Sequence, residues 1–291
     1  GSLEEPVASA SVVPMYVVCE LARRDVKVVL TGQGPDELMG GYVRHLAVRY
    51  GAWLRRFKGA GRRAAKGLQY IIPRSESLKR GLRTVWIQEM DRRHRAVFSL
   101  FGDAEAESLF NDPALGQETE VALDEIWSDY VLPDLPTDDL AHFQILELYS
   151  SLPDELLMYG DKLSMAHSLE ARVPYLDLDV VDFCLGLPDS LKIRLGQRKF
   201  LHKKVALKLV PHEVVDRKKR GFGVDVVDNW FRQSMSDNLL PAILDPQAAI
   251  NELVSHEAVV RLTDEHRRGA ANNYKLLFSL SVLEHWMRAQ L

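Results

Sequence analysis

The sequence predicts a mainly α-helical chain that carries the remnant of a parallel α/β sheet. Three observations support that class. Long stretches place apolar residues at helical spacing. A β-branched run, Val26-Lys27-Val28-Val29-Leu30, reads as a short buried strand, and it passes at once into Gly32 and Gly34. A single buried strand cannot form a sheet. Either other strands are cryptic or its partners lie upstream of residue 1; we favour the second, so the chain reads as part of something larger.

Each element follows from a local pattern. Val12 to Arg24 sets Val13, Tyr16, Val17, Val18 and Leu21 at amphipathic spacing, with Pro14 near the start, where a missing N–H is tolerated. Residues 26–31 form the strand, and a helix starts near Pro35, because glycines and then acids follow the β-branched run. Pro136-Thr137-Asp138-Asp139 reads as a helix N-terminus feeding Phe143, Leu146 and Leu148. Pro153-Asp154-Glu155 reads as a second start, leading through Leu156 and Leu157 to Met165. From Asn272 to Arg288, Tyr274, Leu277, Phe278 and Trp286 recur at helical spacing without a breaker, as core residues rather than a cofactor box. No internal repeat is visible.

Composition narrows the function classes. The 291 residues allow one large domain or two ordinary ones, and we read 1–291 as a single domain. Lys and Arg total 37 against 41 acids, a net charge of −4, which argues against a wholly basic nucleic-acid binder. No run approaches the roughly 18 apolar residues of a spanning helix, and GSLEEPVASASVVP has neither the basic nor the apolar region of a secretory signal. Cys19 and Cys184 stand alone in apolar settings, which makes neither a disulfide framework nor a zinc site and fits a reduced, cytoplasmic environment. His167 has no second His or Cys at ligand spacing and reads as a packing residue. Residues 44–95 carry fifteen Lys/Arg and only Glu76, Glu89 and Asp91, whereas 96–161 carry sixteen acids and no Lys or Arg. We read the basic block as a solvated surface partly neutralised by the acidic stretch, not as a nucleic-acid face, since aromatic stacking platforms are few. Gly59, Gly61 and Gly67 suggest a helix running into a loop there.

The stretch from Val28 to Tyr42 is the first with chemical content. A buried strand ending in Gly-x-Gly lets backbone N–H groups approach an anion without a Cβ in the way. Pro35 suits a first helical turn, and Asp36 and Glu37 follow it. Two carboxylates beside a phosphate would repel it unless a divalent cation lay between, and Mg²⁺ held by one or two carboxylates plus phosphate oxygens meets that requirement. An ordinary strand–helix turn whose acids favour the helix dipole accounts for the same spacing.

The string Thr31-Gly32-Gln33-Gly34-Pro35-Asp36-Glu37-Leu38-Met39-Gly40-Gly41-Tyr42 resembles the S-G-E-G-x-D-E-x-F-G-G-Y motif of asparagine synthetases of the glutamine-hydrolysing family. Asp161-Lys162-Leu163-Ser164-Met165-Ala166-His167-Ser168-Leu169-Glu170-Ala171-Arg172-Val173-Pro174-Tyr175-Leu176-Asp177 is similar to that family's D-R-M-S-M-A-H-S-L-E-A-R-V-P-F-L-D segment. Arg217-Lys218-Lys219-Arg220-Gly221-Phe222-Gly223 resembles its R-x-K-x-G-F loop. The resemblance implies the latter part of an adenine-nucleotide α-hydrolase-like synthetase domain. In the parent enzyme an N-terminal glutaminase releases ammonia. The synthetase adenylates a carboxylate with ATP and Mg²⁺, and ammonia displaces AMP to give an amide. The family's S-G-G-x-D-S pyrophosphate loop and its N-terminal cysteine do not occur here. The isolated chain is therefore expected to be inactive, binding Mg-ATP no tighter than about millimolar, roughly −4 kcal/mol. A homodimer is compatible with this reading; a nucleic-acid or membrane partner is not expected.

By motif position, Thr31 and Gly32 correspond to nucleotide-contacting residues, with Gly34 completing the loop. Asp36 corresponds to the acid near Mg²⁺ and pyrophosphate, with Glu37 as its neighbour. Gln33 stands at a glutamate assigned to adenylate formation and attack by ammonia. A neutral amide cannot take a proton as a carboxylate does, but it can orient the acyl group. Lys219 matches the loop lysine that stabilises charge developing on the phosphates, and Gly221 and Gly223 would let its loop close. Asp161 and Lys162 begin the second motif and have two readings, an approach to the substrate or phosphates and a structural pair. Glu170 and Arg172 read as a pair bracing the turn at Pro174. Leu3-Glu4-Glu5-Pro6-Val7-Ala8-Ser9 departs from the family's L-D-E-P-x-A-D, with Ser9 at an aspartate close to the substrate. Ser9 and Gln33 favour a second reading, a relative such as a β-lactam synthetase or lasso-peptide cyclase. A third is a helical module kept for protein contact.

Overall fold

The computed structural model describes residues 3–55, 84–100, 103–112, 114–115, 121, 138–217 and 236–290. These are largely helical, with two small two-stranded sheets. In chain order come α1 (Val12–Arg23), β1 (Val28–Leu30), α2 (Pro35–Leu38), α3 (Val43–Arg55), α4 (Met90–Phe98) and α5 (Asp103–Leu109). They are followed by α6 (Asp139–Tyr149), a π-helical segment (Leu152–Leu157), α7 (Met158–Ala166), β2 (Glu170–Arg172), α8 (Leu178–Leu185) and α9 (Asp189–Lys192). Then come the hairpin strands β3 (Ile193–Arg194) and β4 (Gln197–Arg198), α10 (Phe200–Ala206), α11 (His212–Val215), α12 (Ser236–Leu244), α13 (His256–Arg267) and α14 (Tyr274–Gln290).

The chain divides into two compact units. One comprises Gly1–Leu21, Ser99–Val131 and Gly221–Leu291. Its core joins Leu240 and Ile243 of α12, Ala258 and Val259 of α13, and Tyr274, Leu277 and Phe278 of α14, so the C-terminal aromatics serve packing as the sequence suggests. Buried Glu284 has one oxygen on the Ile250 amide at 2.9 Å and the other on the Arg288 guanidinium, which satisfies its charge. Trp286 donates its indole N–H to the Glu4 carbonyl.

The other unit comprises Ala22–Phe98 and Leu132–Arg220. Asp138 caps α6, its carboxylate accepting from the Leu140 and Ala141 amides at 3.0 Å. Helix α6 then buries Leu140, Phe143 and Leu146. Leu195 and Gly196 both take positive φ, the pairing a tight hairpin turn requires, and join β3 to β4. Three described cations of the basic block pair with acids of this unit: Arg44 with Glu147, Arg49 with Asp189 and Arg93 with Asp139. Gly59, Gly61 and Gly67 lie outside the described residues.

Two expectations about the first strand need correction. The strand at 28–30 forms, but it is not buried: Val28 is 40% and Leu30 74% exposed. It has a partner within the chain, since β1 pairs in parallel with β2, Val28 opposite Glu170 and Leu30 opposite Arg172. That partner is polar, so it carries no buried-strand pattern. Helix α1 forms as expected, with Tyr16, Val17, Val18 and Leu21 exposed and Cys19 buried. The helix start at Pro153 is found as expected, near the beginning of a segment that runs on through α7, but its first turns are π-helical rather than α-helical.

His94 is packed between Phe98 and Phe143, with ring centroids 4.7 and 4.9 Å away. Burial pushes its pKa down to about 4; Glu147 opposes that shift, and Arg44, His45 and His142 add to it. A folded-state pKa below the free value of about 6.5 favours the neutral ring. Its stability contribution is therefore complete above pH 6.5 and is lost as pH falls toward 4, by up to roughly 3 kcal/mol. Glu37, whose pKa burial raises, acts in the opposite sense. We expect the urea midpoint to fall between pH 7.5 and 5, and the fall to shrink in His94→Leu. Equal falls in both proteins would refute this assignment.

Candidate active site

The strand pairing brings together two segments some 140 residues apart. Thr31 donates its backbone N–H to the Arg172 carbonyl at 2.8 Å, extending the β1–β2 ladder by one step, while Glu170 donates to Lys27 at 2.9 Å. The glycine–acid turn and the segment ending at Pro174 therefore lie side by side. Thr31's N–H is spent on the sheet, and its hydroxyl sits 3.4 Å from both the Arg172 carbonyl and Gln33 Oε1. Gly32 is exposed, and a Cβ there would meet nothing within 4 Å, so the backbone is open to a ligand at this point. Gly34 is required for shape. Its φ of 101° belongs to the left-handed region, and a Cβ would come within 2.4 Å of Leu176 Cδ2.

The two acids face different ways. Asp36 Oδ1 lies 3.0 Å from Lys199 Nζ, and both side chains keep 19% of their surface exposed. Gly41 makes room for this pair, since a Cβ there would overlap Asp36 Oδ1 and approach Lys199 Cε to 2.4 Å. Arg198 fastens the same turn by donating to the Gly41 carbonyl at 2.8 Å. Glu37, expected beside Asp36 at the nucleotide, instead points inward. It is 1% exposed and accepts from the Tyr42 hydroxyl at 2.6 Å. Burial raises its pKa against that hydrogen bond.

Beneath the turn lies a buried polar network. Glu147 holds the His45 ring at 2.6 Å with one oxygen and the Arg44 guanidinium with the other. Burial alone would raise the Glu147 pKa, but His45 and Arg44 outweigh it and hold the carboxyl below its usual range. Gln144 donates to the Glu37 carbonyl and accepts from the buried Lys192 ammonium at 2.9 Å, so a chain of hydrogen bonds runs from α9 to α2. Arg44 lies over the rings of Tyr42 and Phe98, 3.7 and 4.6 Å from their centroids.

Of the other expected residues, Asp161 and Lys162 follow Gly160 on α7, and Gly160 packs against the Gln33 amide. Glu170 and Arg172 form the expected pair at 2.8 Å, but both are exposed, so it contributes only about 0–1 kcal/mol. Lys219 lies outside the described residues, as do Lys218 and Arg220.

Sequence reasoning missed Lys199. No motif marked it, because its approach to Asp36 depends on a hairpin and a left-handed backbone, φ 53°, immediately before α10. The signal available was Gly40-Gly41 itself, two adjacent glycines just after the acids. Beside Lys199, the Tyr175 hydroxyl meets His202 Nε2 at 2.9 Å, and burial lowers the His202 pKa, with the Lys199 charge adding to the effect.

The asparagine synthase family model matches residues 1–288. The chain belongs to the asparagine synthase family. It is 26% identical over 289 residues to asparagine synthetase [glutamine-hydrolyzing] 1 of Bacillus subtilis, covering 97% of this chain and 44% of that protein. It is 30% identical over 291 residues to a putative asparagine synthetase [glutamine-hydrolyzing] of Mycobacterium tuberculosis, covering 98% of this chain and 42% of that one. A shorter stretch of 34 residues is 62% identical to a putative asparagine synthetase [glutamine-hydrolyzing] 1 of Methanocaldococcus jannaschii. The chain thus spans less than half the length of these longer matches. Among the described residues, no helix is long and apolar enough to cross a membrane, and no cluster of three or more His, Cys, Asp or Glu could hold a metal by itself.

Proposed function

We propose that this chain is the latter part of a synthetase that activates a carboxylate with ATP and passes it to ammonia derived from glutamine, releasing AMP and pyrophosphate. The observation that carries the reading is the open Gly32 backbone next to the Asp36–Lys199 pair, on a turn whose sequence is the family's own motif. Asp36 would hold Mg²⁺, which one carboxylate and phosphate oxygens suffice to bind, and the ion would offset charge on the phosphates. Lys199 fixes the Asp36 carboxylate and adds a second cation near the phosphate path. Lys219 supplies positive charge where it develops as pyrophosphate leaves. The exposed apolar residues Val28 and Leu30 of β1 support completion of the sheet by further polypeptide.

Aspartate is the simplest acyl substrate. Gln33 and Ser9 favour the related reading, in which the same activation serves another carboxylate or another amine. The experiment is a substrate screen on the full-length polypeptide. AMP and pyrophosphate should appear in equal amounts, dependent on one carboxylate. ADP and phosphate in their place would reject adenylation.

A further inference from the structure

We propose that Gln33 is a positioning residue whose side-chain amide is selected over a carboxylate, pinning the loop after β1 to the π segment before α7. Its Nε2 donates to the Leu156 carbonyl at 3.1 Å, and its Oε1 lies 3.4 Å from the Thr31 hydroxyl, whose one proton it shares with the Arg172 carbonyl at the same distance. One half of the amide faces an acceptor and the other a donor, so its orientation is fixed. Gly160, four residues beyond Leu156, faces the same amide. A Cβ there would stand 3.0 Å from Nε2 and 3.6 Å from Oε1, so the glycine makes room for the amide at this place. A carboxylate has no proton to offer Leu156 and would set two acceptors against each other in a partly buried site. The motif that this stretch resembles has glutamate here. In this chain position 33 takes no proton from an attacking amine, and it acts by holding Gly32 and Asp36 in place. That functional consequence rests on the ligase reading; the pin does not.

The test compares native protein with Gln33→Glu and Gln33→Met, without nucleotide, so that its failure is distinguishable from failure of the ligase reading. Methionine has similar length and removes the hydrogen bonds without adding charge. Gln33→Glu should lower the melting temperature by roughly 5 °C, and Gln33→Met by clearly less. In NMR spectra the Gln33 side-chain N–H resonances should exchange with water about tenfold more slowly than those of an exposed glutamine. In the full-length polypeptide, Gln33→Glu should fail to raise the rate of amide formation at any pH. Melting of Gln33→Glu at or above the temperature of Gln33→Met, unprotected amide resonances, or a gain in amide formation with the carboxylate would each overturn the proposal.

Discussion

Lys219→Ala in the full-length polypeptide should slow adenylation by about 10²–10³, roughly 3–4 kcal/mol of transition-state stabilisation, while weakening ATP binding far less. An ammonium directed at charge that appears only as pyrophosphate departs acts mainly on the transition state. Lys219→Arg should rescue only part of the rate, because a planar guanidinium does not reproduce a compact ammonium. Lys218 and Arg220 are neighbours of the same charge and act as controls; alanine at either should change the rate by a few-fold at most. Pyrophosphate release measured for all four variants decides the matter. Equal losses at positions 218, 219 and 220 would mean a diffuse basic patch.

Glu147→Ala should be the most damaging single change to stability. It leaves buried His45 and the Arg44 guanidinium facing an empty site, and breaking a buried ionic network from one side costs about 3–5 kcal/mol. In a chain of this size that lowers the melting temperature by roughly 10 °C. The pH dependence has a definite sign. Because the folded state holds the Glu147 carboxyl below its ordinary range, its contribution is complete above about pH 4.3 and is lost on further acidification. The native protein should therefore lose stability below that pH more steeply than Glu147→Ala does. A loss under about 1 kcal/mol on substitution would show that solvent reaches the network.

The sequence made legible what depends on local chemistry. A helix start was legible around Asp138 because short side-chain oxygens precede an apolar helical pattern, and the structure makes Asp138 the cap of α6. Residues 28–30 are a strand because β-branching and the following glycines leave few alternatives. Strand β2 was not legible: Glu170-Ala171-Arg172 is polar, and only its register against β1 makes it a strand. The π segment was missed because Pro153 ordinarily marks a first turn, and the wider turn shows only in the hydrogen-bond pattern. The site divides along the same line. Motif position brought Asp36 and Gly32 forward, but only packing separates Asp36, beside Lys199, from Glu37, sealed under Tyr42.

That separation is the most direct point of attack on the whole account. Carboxylate-dependent exchange of pyrophosphate into ATP, in the presence of Mg²⁺, should be measured for the full-length polypeptide and for Asp36→Asn and Glu37→Gln. Asparagine keeps the shape and an oxygen for Lys199 but removes the charge that would bind the ion, so exchange should fall by roughly two orders of magnitude. Glutamine at position 37 can still accept from Tyr42 and should retain most of the exchange. Full exchange in Asp36→Asn, with the loss falling on Glu37→Gln instead, would contradict the placement of the metal and phosphates at the Asp36–Lys199 pair.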